Sequence, residues 1–217
     1  MDSQWAADNL QTIRTLMERS ALYRRALAPI MTYVGALGLG GAAAGRLLGL
    51  DSPVAFILFW GVVAFVALAG SFVLVRRQAL RDAEPFWSPP TRRVAQAFLP
   101  PLVAGLLLSV VVAIHFGSSV EPGVLQKGQM IALVILPRAW VILYGCALHA
   151  AGFFMPRGMK ILGWGLVVCG AGLFAFNAAL HFPEADYAYG VMGFFFGFVQ
   201  LGYGIYLYFT EKGTNGA

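Results

Sequence analysis

Six apolar stretches, each long enough to cross a bilayer as a helix of about 20 residues, constrain this chain more than any other feature. They fall at about residues 29–50, 53–75, 94–116, 130–154, 159–180 and 187–209. A helix of that length rises about 30 Å, the thickness of the hydrocarbon layer. In lipid each backbone N–H and C=O must be satisfied within the protein, which makes such stretches helical. Composition leads the same way. Of 217 residues, 59% are hydrophobic and 12% charged, with a mean hydropathy of +0.73. A water-soluble fold of this size has too much surface for so few charges. The fold class expected is all-α: a polytopic bundle of six transmembrane helices, preceded by an amphipathic cytoplasmic helix at the N-terminus.

The cations orient the bundle. Arg14, Arg19, Arg24 and Arg25 precede the first span, and Arg76, Arg77, Arg81, Arg92 and Arg93 surround the second connection. Arg157 and Lys160 lie at the fourth connection, and Lys212 follows the sixth span. With six spans all twelve fall on one side, against Arg46 and Lys127 on the other. Basic residues stay cytoplasmic, so both termini are expected in the cytoplasm and the protein in the plasma (inner) membrane. The opposite side carries Asp51, Glu121, Glu184 and Asp186. The net charge of +5 is then a matter of topology and anionic lipid, and no nucleic-acid partner is expected.

Three segments follow along the chain. Residues 1–28 read as an amphipathic interfacial helix, with Trp5, Leu10, Ile13, Leu16, Met17 and Leu22 at helical spacing and the arginines opposite. This helix anchors to the membrane surface or docks a protein partner. Residues 29–210 form the transmembrane domain, and 211–217 a flexible cytoplasmic tail. No cleavable signal peptide is read in the polar first 27 residues. Pro85, Pro89 and Pro90 should break helix around Trp87, while Pro100 and Pro101 should kink the third span or mark its true start. A loop of about a dozen residues is expected from Gly117 to Gln129. Gly41 and Gly45, and again Gly193 and Gly197, make GxxxG pairs that let helices approach closely, within the bundle or in a homo-oligomer. Cys146 and Cys169 read as small core residues rather than a disulfide.

Arg138 is the most informative single residue. It lies about 12 Å inside the fourth span at 1.5 Å per residue, where a charge costs on the order of 3 kcal/mol. It therefore faces the bundle interior, a cavity or an anionic group, or it snorkels to the outer interface. Pro137 leaves a carbonyl of the preceding turn without its helical donor. A polar ligand pocket of Arg138, Asn177 and His181, with Tyr33 or Tyr203, is the sharpest site the sequence offers. At the outer face His115, His181, Glu184 and Asp186 form a candidate metal set, and His115 with His181 a candidate haem pair. No HExxH, CxxC, P-loop or GxSxG is present, and no carboxylate lies inside a span. No cofactor is predicted.

Three functional readings follow. The first is a non-enzymatic sensor, regulatory or accessory subunit of a membrane complex. The second is a small transporter or ligand-binding protein with its pocket at Arg138. The third is a metal- or haem-dependent membrane enzyme using the outer histidines.

Overall fold

The computed structural model describes residues 27–81, 87, 89–117, 122–175 and 184–214. Of these residues 93% are helical and none is in a strand. The helices are α1 (Leu27–Leu47), α2 (Pro53–Arg81), α3 (Pro89–Gly117), α4 (Pro122–Ala151) and α5 (Arg157–Ala175). A continuous last helix comprises α6 (Glu184–Met192), a π-helical turn (Gly193–Phe198) and α7 (Val199–Thr214). Six helices, the last of them Glu184–Thr210, are long and apolar enough to cross a membrane. The expected helix over the first 26 residues lies outside the described residues.

The turn between α1 and α2 shows how local chemistry sets the antiparallel pairing. Gly49 has φ +63°, the left-handed conformation that glycine adopts without penalty. Gly49 N–H donates to Arg46 O and Leu50 N–H to Gly45 O, a Schellman cap on α1. Three residues later Ser52 Oγ accepts from Ala55 N–H at 3.2 Å, and Pro53 opens α2 where its missing N–H is harmless. At the other end, Pro156 stops the α4–α5 connection from continuing as helix.

The structure differs from the sequence expectation in four places, three of them helix limits. Pro100 and Pro101 are interior to α3, which starts at Pro89. Prolines at the first turn fit a helix start, and the inner pair leaves the Gln96 and Ala97 carbonyls without helical donors. α4 begins at Pro122, within the stretch expected as loop. α7 runs on to Thr214, through Glu211 and Lys212, rather than ending at the membrane edge. Both are good helix formers and no proline intervenes. Cys146 and Cys169 are free and exposed, on the outward faces of α4 and α5 rather than in the core.

The helices divide by burial. α4 is central, with half of its apolar stretch buried, and packs against α2, α3, α5 and α6. One core cluster joins Met31, Val141, Leu148, Met159, Leu166 and Phe195 from α1, α4, α5 and the last helix. A second, built on Phe56, Trp60, Leu133 and Tyr189, ties α2 to α4 and α6. Phe56 stacks on Trp140 at 5.8 Å and meets Tyr189 edge-on at 5.2 Å. α2 and α3 instead expose Leu58, Phe65, Leu68, Leu106, Val111 and Ile114. So large an apolar surface matches lipid, not water.

Glycines set the closest approaches. A Cβ on Gly145 of α4 would lie 2.8 Å from Gly163 O of α5, and one on Gly163 would lie 2.8 Å from Gly145 O. Along the α1–last-helix pair, Gly35 and Gly38 meet the backbone of Leu201 and Phe196, and Gly197 and Gly204 meet that of Leu39 and Thr32. Gly41 packs on Trp60 and Val63, Gly45 on Tyr189 and Phe59, and Gly193 on Ala42. All four glycines of the two GxxxG pairs are thus buried against neighbouring helices of the same chain.

Candidate functional site

Arg138 is 4% exposed, near the middle of α4 and in the Ile131 half of its apolar stretch Ile131–Ala151. In a helix the Cα–Cβ bond tilts toward the N-terminus, so the side chain leans to the Asp186 end of the bundle. There its Nε donates to the Tyr187 hydroxyl at 2.8 Å. Tyr187 stands in the first turn of α6, itself buried. The Phe174 ring of α5 lies 5.3 Å from the guanidinium carbon, within cation–π range. The Tyr187 ring centroid is 5.0 Å away. That closeness follows from the hydroxyl contact and adds little to it. Pro137 beneath is buried and leaves Leu133 O without a helical donor.

Arg138 Nη2 is buried and finds no hydrogen-bond partner in the protein. An N–H group left in that state costs about 1–3 kcal/mol, more when charged. Among the described residues no carboxylate pairs with Arg138. Asp186, one residue from Tyr187, is engaged by Arg46 of α1 in a half-exposed ion pair. Nε and Nη2 share one edge of the guanidinium, so a group accepting from Nη2 would sit beside the Tyr187 hydroxyl. That hydroxyl accepts from Nε and keeps its own proton to donate. The arrangement offers two adjacent donors and one uncompensated charge in an apolar setting, which is what an oxyanion requires.

The other sequence-selected residues separate. Asn177 and His181 lie outside the described residues; in sequence they fall between Phe174 and Tyr187. Tyr33 is engaged elsewhere, its hydroxyl donating to Val66 O of α2 at 3.0 Å. Tyr203 packs its hydroxyl against Gly158 at the basic end. Tyr187, which the sequence reading passed over, is the tyrosine at Arg138. Of the candidate metal set, His115 closes α3 and Glu184 opens α6, while Asp186 holds Arg46. Among the described residues no three His, Cys, Asp or Glu side chains gather closely enough to hold a metal ion.

Three further polar groups are buried without partners: Trp60 Nε1, His149 Nδ1 and Gln200 Oε1. His149 stands edge-on to Phe153 and Trp164 near the basic end. Gln200 is fully buried beside the π turn, where Val199 N–H bonds back five residues to Phe194 O. Its Nε2 reaches Phe195 O only at 3.5 Å, a long contact. Neither has a second donor and a charge beside it, as Arg138 does. No protein-family model, no curated protein and no solved structure matches this chain.

Proposed function

We propose that this chain is a non-enzymatic sensor of the plasma membrane that binds an anionic ligand through Arg138. One observation carries the reading: an arginine 4% exposed, unpaired by any described carboxylate, with a buried Nη2 lacking a partner. A purely structural arginine at this depth would be matched by an acid or fully hydrogen-bonded, because the imbalance is costly in lipid. The distribution of cations supports an orientation with both termini in the cytoplasm. Arg138 then belongs to the outer half of the membrane, and Arg46 and Asp186 to its outer rim.

The test is thermal stability of the purified protein against a panel of anions, water-soluble and amphiphilic. A ligand of the folded state raises the melting temperature according to its concentration over Kd. The expected result is stabilisation by at least one anion class that Arg138→Gln removes. The reading fails if no anion stabilises the chain, or if Arg138→Gln responds equally.

A further inference from the structure

We infer that the anion is the phosphate of an acidic lipid, taken from the outer leaflet past Phe174. This rests on the reading of Arg138 as an anion site and names the class of ligand. Arg138 is closed to water at 4% exposure, yet Phe174, which walls it on the α5 side, is 42% exposed. Phe174 lies one turn beyond Gly170, on the side of α5 that packs against Val141 and Ile142 of α4. It also borders the stripe of Ile161, Trp164 and Val168 that α5 exposes to lipid. Among the described residues, the Phe174 ring therefore stands between the guanidinium and the acyl region.

The energetics favour a lipid over a free ion. A soluble phosphate would have to lose its whole hydration shell to reach a site so dry. A lipid phosphate must shed water too, but it carries a single charge and is already anchored at the interface by its chains, so it has less hydration to lose and a shorter way to move. Its single charge matches the single charge of Arg138, since Arg46 is already engaged by Asp186. Its two unesterified oxygens suit the two adjacent donors, Nη2 and the Tyr187 hydroxyl. The acyl chains would follow the exposed apolar face of α5.

The experiment places the protein in nanodiscs of phosphatidylcholine alone, phosphatidylcholine with phosphatidylglycerol, or phosphatidylcholine with inorganic phosphate at matched ionic strength. Melting temperature and lipid retained in native mass spectrometry are read for the wild type, Arg138→Gln and Tyr187→Phe. The inference expects phosphatidylglycerol alone to stabilise the wild type, with one molecule retained. Arg138→Gln should lose both signals, and Tyr187→Phe should lower retention about tenfold through loss of one charge-assisted donor. If Arg138→Gln does not fold, unchanged retention in Tyr187→Phe overturns the inference by itself. Equal stabilisation of wild type and Arg138→Gln by phosphatidylglycerol would place the lipid elsewhere and overturn it too. Stabilisation by inorganic phosphate alone, lost in Arg138→Gln, would overturn the lipid source and leave the anion site standing. No Arg138-dependent response to either probe would overturn the phosphate inference, and the anion panel then decides the anion site by itself.

Discussion

The α4–α5 crossing supports a test that isolates one methyl group. Gly163 and Gly165 lie on the same helix, two residues apart. A Cβ on Gly163 would lie 2.8 Å from Gly145 O and 2.9 Å from the His149 Cα, whereas one on Gly165 meets nothing within 4 Å. Those contacts fall short of ordinary van der Waals separation by roughly 0.5 Å or more, given an optimum of about 3.5–4.0 Å. The obstacle is backbone on both sides, so no rotamer change relieves it. Overpacking of this kind costs about 1–3 kcal/mol. The gain in helix propensity from glycine to alanine, at most about 1 kcal/mol, offsets part of it. Gly163→Ala should therefore lose about 1–2 kcal/mol, and Gly165→Ala should lose nothing or gain slightly. At about 2–4 °C per kcal/mol for a chain of this size, Gly163→Ala melts about 2–8 °C below the wild type. Thermal melts followed by circular dichroism in one detergent would read the difference. A Gly163→Ala protein as stable as Gly165→Ala would refute the close helix approach.

Three other outcomes are expected. Tyr187→Phe keeps the ring but removes the acceptor of Arg138 Nε, and in phosphatidylcholine alone it should cost about 1–3 kcal/mol, read as a lower melting temperature; no change would mean that the 2.8 Å bond does not form. Arg138→Met should leave stability in phosphatidylcholine unchanged or raise it by up to a few kcal/mol, because an unpaired buried charge is replaced by an apolar side chain; a marked fall would make Arg138 a structural residue. In a background without Cys146 and Cys169, a cysteine replacing Trp87 should react with an impermeant maleimide only from the cytoplasmic side and one replacing Leu48 only from outside; the reverse pattern would overturn the orientation.

The spans were readable because hydropathy over about 20 residues is a local property, and α1 to α5 and the last helix follow it. Their ends were less readable. α2 extends over 29 residues and α4 over 30, longer than the hydrocarbon layer needs. Beyond the lipid, helix propensity and caps decide the ends, not hydropathy. The fate of the glycines was half legible. The GxxxG pairs marked close approach, but the tightest α4–α5 contact uses Gly145 and Gly163, which belong to no GxxxG. A signal was present: Gly145 with Gly152, and Gly163 with Gly170, repeat at seven residues, two turns along one face.

Arg138 stood out because a charge inside an apolar span is anomalous whatever surrounds it. Its partner did not. Eight tyrosines are spread along the sequence, and choosing Tyr187 requires knowing that the first turn of α6 lies against the middle of α4. That neighbour relation arises from packing between segments 49 residues apart in sequence, and no local pattern encodes it. The same relation makes the site specific. Tyr187 binds Nε, Phe174 covers the lipid side, and Arg46 draws Asp186 away. The donors come from α4 and α6, the cover from α5 and the cation that engages Asp186 from α1, so the enclosed donor pair with its charge uncompensated requires all four helices assembled. A ligand held there would then stabilise the whole inner bundle rather than one helix, which is why melting temperature is a fitting readout of its binding.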